Sequence, residues 1–375
     1  MPACPRLPGI LAAMGDRFRT RATVVSRALA ARLGPRRPGG IRRILVAHNL
    51  LLGDVVMLTP LLAKLRAQHP GADIALLAAP ALVPLYAGRP YGVRALPFSP
   101  RRSETTRALL AEPPFDLAVV VGDNRYAWVA AALGARHIVA HAGDRPWTKN
   151  LMVDEQRPYR ATPAAWGDMV ADLVDGPAAA PYRVGDWPAP PAAPFERPAG
   201  PYVVLHVGAS TPLKLWPAER WRAVAESLEA GGLEVVWSAG PGEEGVVAAC
   251  DPQGRRRSCA GRLDLAQMWH LLAGAALVVA PDTGIAHLAR ATGAPTIAIF
   301  GPGSAVACQN GSFWRDMPYL GLTAEDFPCR DQQVLFRREV TWMRRCTRST
   351  SECPRPRCME AVTVDAVLDA ADRLP

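Results

Sequence analysis

LVVAPDTGIAHLARATGAPTIAIFG, residues 277–301, sets an Asp, a Thr, a Gly and a His between two apolar runs. LVVA and TIAIF are short and rich in β-branched residues, the composition of strands covered on both faces. HLARATG between them reads as a helix that stops at Gly293, before Ala-Pro. PDTG is then the turn at the carboxyl edge of a strand, where a helix begins. Unpaired N–H groups and the helix dipole favour an anion there, and open α/β sheets bind their ligands on that edge. The residues alone also allow a plainer role, with Asp282 or Thr283 capping the first-turn amides.

The same alternation extends in both directions. Upstream, IRRILVAH, DIALLAAP, DLAVVVG and RHIVAHAG read as strands, with GDVVMLTPLLAKLRAQHP and YAWVAAALG as helices between them. GDWPAPPAAPFERPAG, residues 185–200, is too proline-rich for helix or central strand and reads as a semi-rigid linker. The pattern then restarts: YVVLHVGA and EVVWSAG as strands, PAERWRAVAESLEAG as a helix opened by Pro217, and DLAQMWHLLAGA leading into the opening stretch. Repeated strand–helix units predict parallel sheets flanked by helices. The chain therefore divides into residues 41–184, the linker 185–200 and residues 201–375, two doubly wound domains with a ligand cleft between their carboxyl edges.

Bulk composition narrows the class. The 375 residues are 49% hydrophobic and 21% charged, which describes a globular chain with full cores. No apolar run is long enough to cross a bilayer, and arginines interrupt any secretory pattern, so a cytoplasmic location is expected. The net charge of +9 points to an anionic partner. No nucleic-acid-binding motif is present, which leaves a phosphorylated substrate or a membrane surface. Residues 1–40 hold eight arginines and one acid, Asp16. Met14, Phe18, Val25, Leu29 and Leu33 recur there at helical spacing beside Arg17, Arg21 and Arg32. A basic amphipathic helix of this kind can lie on anionic lipid, or extend into solvent.

Four stretches stand at strand ends: HNLLLGDVVMLTPLL, HVGASTPLKLWPAERW, SAGPGEEG and PDTGIAH. The ordered set GDxxxxTP, KxWPxxRW, DTGxxHLA and FGP resembles glycosyltransferase family 9, the ADP-heptose:lipopolysaccharide heptosyltransferases, from about residue 42 to the C-terminus. The resemblance implies a GT-B architecture, two Rossmann-like domains with the active site between them. It also implies inverting transfer of a sugar from a nucleotide diphosphate, ADP-heptose by preference, to an anionic lipopolysaccharide core or lipid A acceptor. No metal or other cofactor is expected. The sequence agrees in lacking an Asp-x-Asp pair, so lysine and backbone amides would neutralise the leaving phosphates.

Carried onto this chain, the pattern makes Asp54, beside Gly53, the general base for the acceptor hydroxyl, or a cap of its helix, or both. A helix N-terminus stabilises a carboxylate, so its pKa is expected to be low. Lys214 matches the donor-phosphate lysine, with Ser210 in the same loop. Asp282 is assigned to the donor sugar and the amides of Thr283 and Gly284 to the diphosphate. His287 follows on the first helical turn, near the phosphates or packed in the core. Glu243 or Glu244 is a candidate for the donor ribose. Arg125, after a strand end, is the preferred acceptor contact among the basic residues of the N-terminal half.

The chain departs from the pattern in three places. The first loop, HNLLLGD, lacks the family's Arg or Lys; residues 1–40 are an added extension; and residues 308–358 hold Cys308, Cys329, Cys346, Cys353 and Cys358. CPRPRC lacks the tight C-x-x-C pairs of structural zinc sites, so packed free thiols are expected there, with a structural metal as the alternative. Three other classes compete: a GT-B sugar-nucleotide epimerase or hydrolase, a non-catalytic nucleotide-binding protein at a membrane, and a nicotinamide oxidoreductase. The last is disfavoured, because no G-x-G-x-x-G follows IRRILVAH.

Overall fold

The computed structural model describes residues 7–34, 39–324 and 327–375, with side chains from residue 16 onward. The first sheet contains β1 (Arg43–Ala47), β2 (Asp73–Ala78), β3 (Val93–Pro97), β4 (Leu117–Val120), β5 (His137–His141) and β6 (Glu155–Arg157). The second contains β7 (Tyr202–His206), β8 (Glu234–Ser238), β9 (Arg257–Ser258), β10 (Leu277–Pro281), β11 (Thr296–Phe300) and β12 (Tyr319–Thr323). Their orders are β3-β2-β1-β4-β5-β6 and β12-β11-β10-β7-β8-β9. Every pairing within them is parallel. Read in chain order, each sheet is a doubly wound 3-2-1-4-5-6 arrangement with its switch point between the first and fourth strands. β1, β4, β7 and β10, buried along almost their whole length, are the apolar runs that the sequence marks as strands.

Local chemistry reshapes one expected element. GDVVMLTPLLAKLRAQHP forms two helices, Leu52–Val56 and Thr59–Gln68, because Pro60 lacks the N–H that would continue the first and instead opens the second. β3, β6 and the helix Glu244–Cys250 lie in stretches that carry no clear period. Gly293 ends the helix Gly284–Thr292 in the left-handed conformation, φ 82°, as its position suggests.

The helix Leu7–Leu33 docks on the first sheet's flank through Thr20, Val24 and Ala28, all buried. Arg32 anchors its end on Asp154. Phe18, Val25, Leu29 and Leu33 point away and are exposed. The side chain of Met14 lies outside the described residues. The proline-rich segment is pinned rather than loose. Trp187 stacks between Tyr86 of the first lobe and Trp269 of the second, at 5.0 and 5.5 Å between ring centroids.

Residues 327–348 form a strap that runs from the second lobe onto the first and back. It carries the small hairpin Val334–Leu335 and Arg338–Glu339. Arg338, buried, donates to Asn124 Oδ1 at 2.6 Å and pairs with Asp144 at 3.3 Å. Among the described residues no helix is long and apolar enough to cross a membrane.

Candidate active site

The carboxyl edges of the two sheets enclose a cavity of about 860 Å³, of the size that holds a small-molecule substrate. The loops after β1, β7, β8 and β10 and the strap supply its walls. The first turns of Leu52–Val56 and Gly284–Thr292 meet head to head. A Cβ on Gly53 would lie 2.8 Å from the His287 ring and 3.2 Å from Gly284 Cα. One on Gly284 would lie 2.8 Å from Leu52 Cβ and 3.0 Å from the Gly53 nitrogen. Only glycines at both positions let the two helix N-termini approach this closely.

At the turn after β10, Lys214 Nζ donates to the Asp282 carbonyl at 2.8 Å and to its Oδ2 at 2.7 Å. The capping role open to Asp282 and Thr283 is therefore not taken up. The Asp282 carboxylate faces lysine, and Thr283 makes no side-chain cap. Its buried hydroxyl has no partner among the described residues. A helix start with unclaimed donors beside an ammonium is suited to hold an anion.

Asp54 stands opposite, on the first lobe's edge of the cavity. Its pKa is pushed up to about 6, first by burial and then by the Asp282 carboxylate. Lys214, Arg345 and the Leu51 amide pull the other way. The expected lowering by the helix N-terminus is thus overturned: removal from water outweighs the helix dipole. The Leu51 amide, at the start of the same helix, faces the carboxylate and favours its ionised form.

His287 lies in the cavity wall but is buried, and burial holds its pKa well below the usual range. Arg290 Nη2 donates to its Nδ1 at 3.0 Å. A guanidinium can only donate, so the neutral ring keeps its proton on Nε2. The Arg290 guanidinium itself lies over the Trp314 and Tyr319 rings at 4.8 and 4.9 Å.

Asp282, His287 and Cys308 bring three ligand-type atoms within 4.8 Å of one another. They suit a metal poorly: lysine occupies the carboxylate, arginine occupies Nδ1, and burial pushes the Cys308 thiol up, away from thiolate. The other late cysteines, Cys329, Cys346, Cys353 and Cys358, form no disulfide, and Cys329 lies within electrostatic reach of the other three.

Of the remaining expected residues, Gly53, Ser210 and Glu243 line the cavity. Glu243 Oε2 accepts from the Gly240 amide at 2.7 Å. Glu244 is exposed outside the cavity lining and accepts from Gly242 at 3.1 Å. Arg125 is also outside the lining: its guanidinium is held by its neighbour Asp123 at 2.8 Å, so the structure does not bring it to the cavity. The sequence pattern did not single out Phe336, Met343 and Arg345 of the strap, or Trp166, which all line the cavity. No periodicity marks the strap, and its course is set by contacts far away in sequence.

The sequence pattern of glycosyltransferase family 9 (heptosyltransferase) matches residues 110–333, more than half of the chain. Lipopolysaccharide heptosyltransferase 1 of Pseudomonas aeruginosa is 29% identical over 312 residues, covering 76% of this chain and 85% of that protein. A glycosyltransferase family 9 structure from Veillonella parvula superposes with a TM-score of 0.66 at 16% identity, over 90% of this chain and 98% of that one. The Escherichia coli ADP-heptose LPS heptosyltransferase II does so with a TM-score of 0.64 at 19% identity, over 89% and 98%. The two-lobed GT-B fold is shared with both. A cavity between two doubly wound lobes, an ammonium at an open helix start and this sequence match lead to one assignment: the chain belongs to glycosyltransferase family 9 and is a glycosyltransferase.

Proposed function

We propose that this enzyme transfers a heptose, or a related sugar, from a nucleotide diphosphate donor to the inner core or lipid A part of a lipopolysaccharide, with inversion at the anomeric carbon. ADP-heptose is the preferred donor. The observation that supports this reading best is the opposition of Asp54 to Lys214 and the 282–284 turn across one cavity. In it, the acceptor hydroxyl oxygen attacks the anomeric carbon from the Asp54 side. The C–O bond to the diphosphate breaks, and Asp54 takes the hydroxyl proton. Lys214, the amides at 283–284 and the free Thr283 hydroxyl receive the charge that grows on the leaving diphosphate. In this mechanism no metal is needed, because a lysine and a helix start already supply the positive potential. Glu243 is proposed for the ribose, and the exposed face of Leu7–Leu33 for peripheral contact with the lipid-bearing membrane.

Incubation with ADP-heptose, with and without deep-rough lipopolysaccharide, tests this reading. Nucleotide release should require acceptor, persist in EDTA, and give a product whose anomeric configuration by NMR is opposite to the donor's. Donor consumption without acceptor would favour an epimerase or hydrolase instead. Retained configuration would rule out Asp54 as the base of a single direct displacement.

A further inference from the structure

The strap is held at both ends and at its far turn. Arg330 donates to the Gly301 carbonyl where the strap leaves the second lobe. On the first lobe, the Phe336 ring packs on Trp166 at 4.9 Å, and Trp342 Nε1 donates to the Arg160 carbonyl at 2.9 Å. On its return, the Gln332 N–H donates to the Arg345 carbonyl at 3.0 Å and the Cys346 N–H to Pro302 at 2.8 Å. Two backbone bonds thus fix the peptide that follows Arg345, and this residue lines the cavity. Its Nε is buried without a partner among the described residues.

The neighbouring cations are committed elsewhere. Arg348 pairs with Asp331 at 3.0 Å, and Lys214 pairs with Asp282 at 2.7 Å. HNLLL, just ahead of Gly53 and Asp54, contains no Lys or Arg. Arg345 therefore lines the cavity within electrostatic reach of Asp54 and, among the described residues, makes no ion pair.

We propose that Arg345 binds the acceptor, taking a carboxylate or phosphate beside the hydroxyl that Asp54 deprotonates. This rests on the functional reading above. A planar fork of donors suits either anion, and a cation held in the same cavity as the base can bring the reacting hydroxyl into line. The charge of Arg345 also acts on Asp54, holding its pKa below the value that burial would give. Lys214 acts on Asp54 more strongly still, but it is already paired with Asp282, and its charge is also felt at His287 and Cys308.

Steady-state kinetics on the full chain, varying donor and acceptor separately, tests the assignment with Arg345→Gln and Arg345→Lys. The acceptors are deep-rough lipopolysaccharide as isolated, after phosphatase treatment, and after esterification of its carboxylates. Arg345→Gln should raise the acceptor KM by about tenfold to a hundredfold, the loss of one charge-assisted contact, while the donor KM stays within about twofold. Arg345→Lys should recover part of this. Neutralising the correct anion, phosphate or carboxylate, should penalise the wild type and not Arg345→Gln. The acid limb of the glutamine variant should lie at higher pH, since a charge that favours ionised Asp54 is gone. An unchanged acceptor KM, a raised donor KM, or an equal penalty from each treatment in both proteins would overturn the proposal. If the wild type transfers sugar and the variant matches it, this inference alone falls. If the wild type transfers nothing, the functional reading falls and takes the inference with it.

Discussion

At the scale of single residues, the raised carboxyl of Asp54 joins the basicity that its proposed role requires to a cost in stability. Its pKa rises from 3.8 to about 6. It is therefore mostly ionised at pH 7, yet far more basic than an exposed aspartate. Asp54→Asn should lower turnover by about 10²- to 10⁴-fold with little change in donor KM, the loss expected of a general base. In the wild type, kcat/KM should fall on the acid side with an apparent pKa near 6, because the base must be deprotonated. The stability effect has the opposite sign. A carboxyl raised in the folded state costs stability as pH climbs from about 4 to about 6, by up to about 3 kcal/mol. Asn carries no such cost, so the variant should unfold at higher denaturant than wild type at pH 8 and match it near pH 4. A variant less stable at every pH would show that Asp54 is a structural residue.

Helices and loops carry the next level of argument. The starts of Leu52–Val56 and Gly284–Thr292 can meet only because neither contact residue has a Cβ. Gly284→Ala would push against backbone at Gly53 and against Leu52, at 3.0 and 2.8 Å. It should cost about 1–3 kcal/mol in thermal unfolding, typical of overpacking, and weaken donor binding measured by calorimetry. Unchanged affinity would detach the helix contact from the donor site. The helix Leu7–Leu33 shows how an amphipathic pattern can be ambiguous. Its spacing marks two faces, and the structure buries Thr20, Val24 and Ala28 while leaving Phe18 and Leu29 outside. Phe18→Glu with Leu29→Glu should abolish cosedimentation with vesicles containing anionic lipid while leaving the melting temperature within about 2 °C, since both side chains are exposed. Equal cosedimentation of variant and wild type would overturn the proposed membrane contact of this helix.

Over the whole molecule, the strap and the pinned linker join two sheets that could otherwise move independently. Arg338 is the deepest of these ties, with Asn124, Asp144 and the Gly122 and Ala142 carbonyls all accepting from it. Arg338→Met should cost about 3 kcal/mol in equilibrium denaturation, because it leaves buried acceptors and part of the Asp144 charge uncompensated. A loss below about 1 kcal/mol would mean that Lys149, 3.0 Å from Asp144, suffices. The sequence by itself determined the alternating strands and helices, the two doubly wound halves, and the placing of Asp54, Lys214, Asp282 and Thr283 at strand ends. Those features follow from local hydrophobic period and turn chemistry. Only the tertiary structure decided that Asp54 would be a raised carboxyl, that Glu243 and not Glu244 would face the cavity, and that Arg125 would turn to Asp123. It alone delivered Arg345 to the site. Burial, charge pairing and the course of an irregular strap depend on contacts between residues far apart in the chain, and no local pattern encodes them.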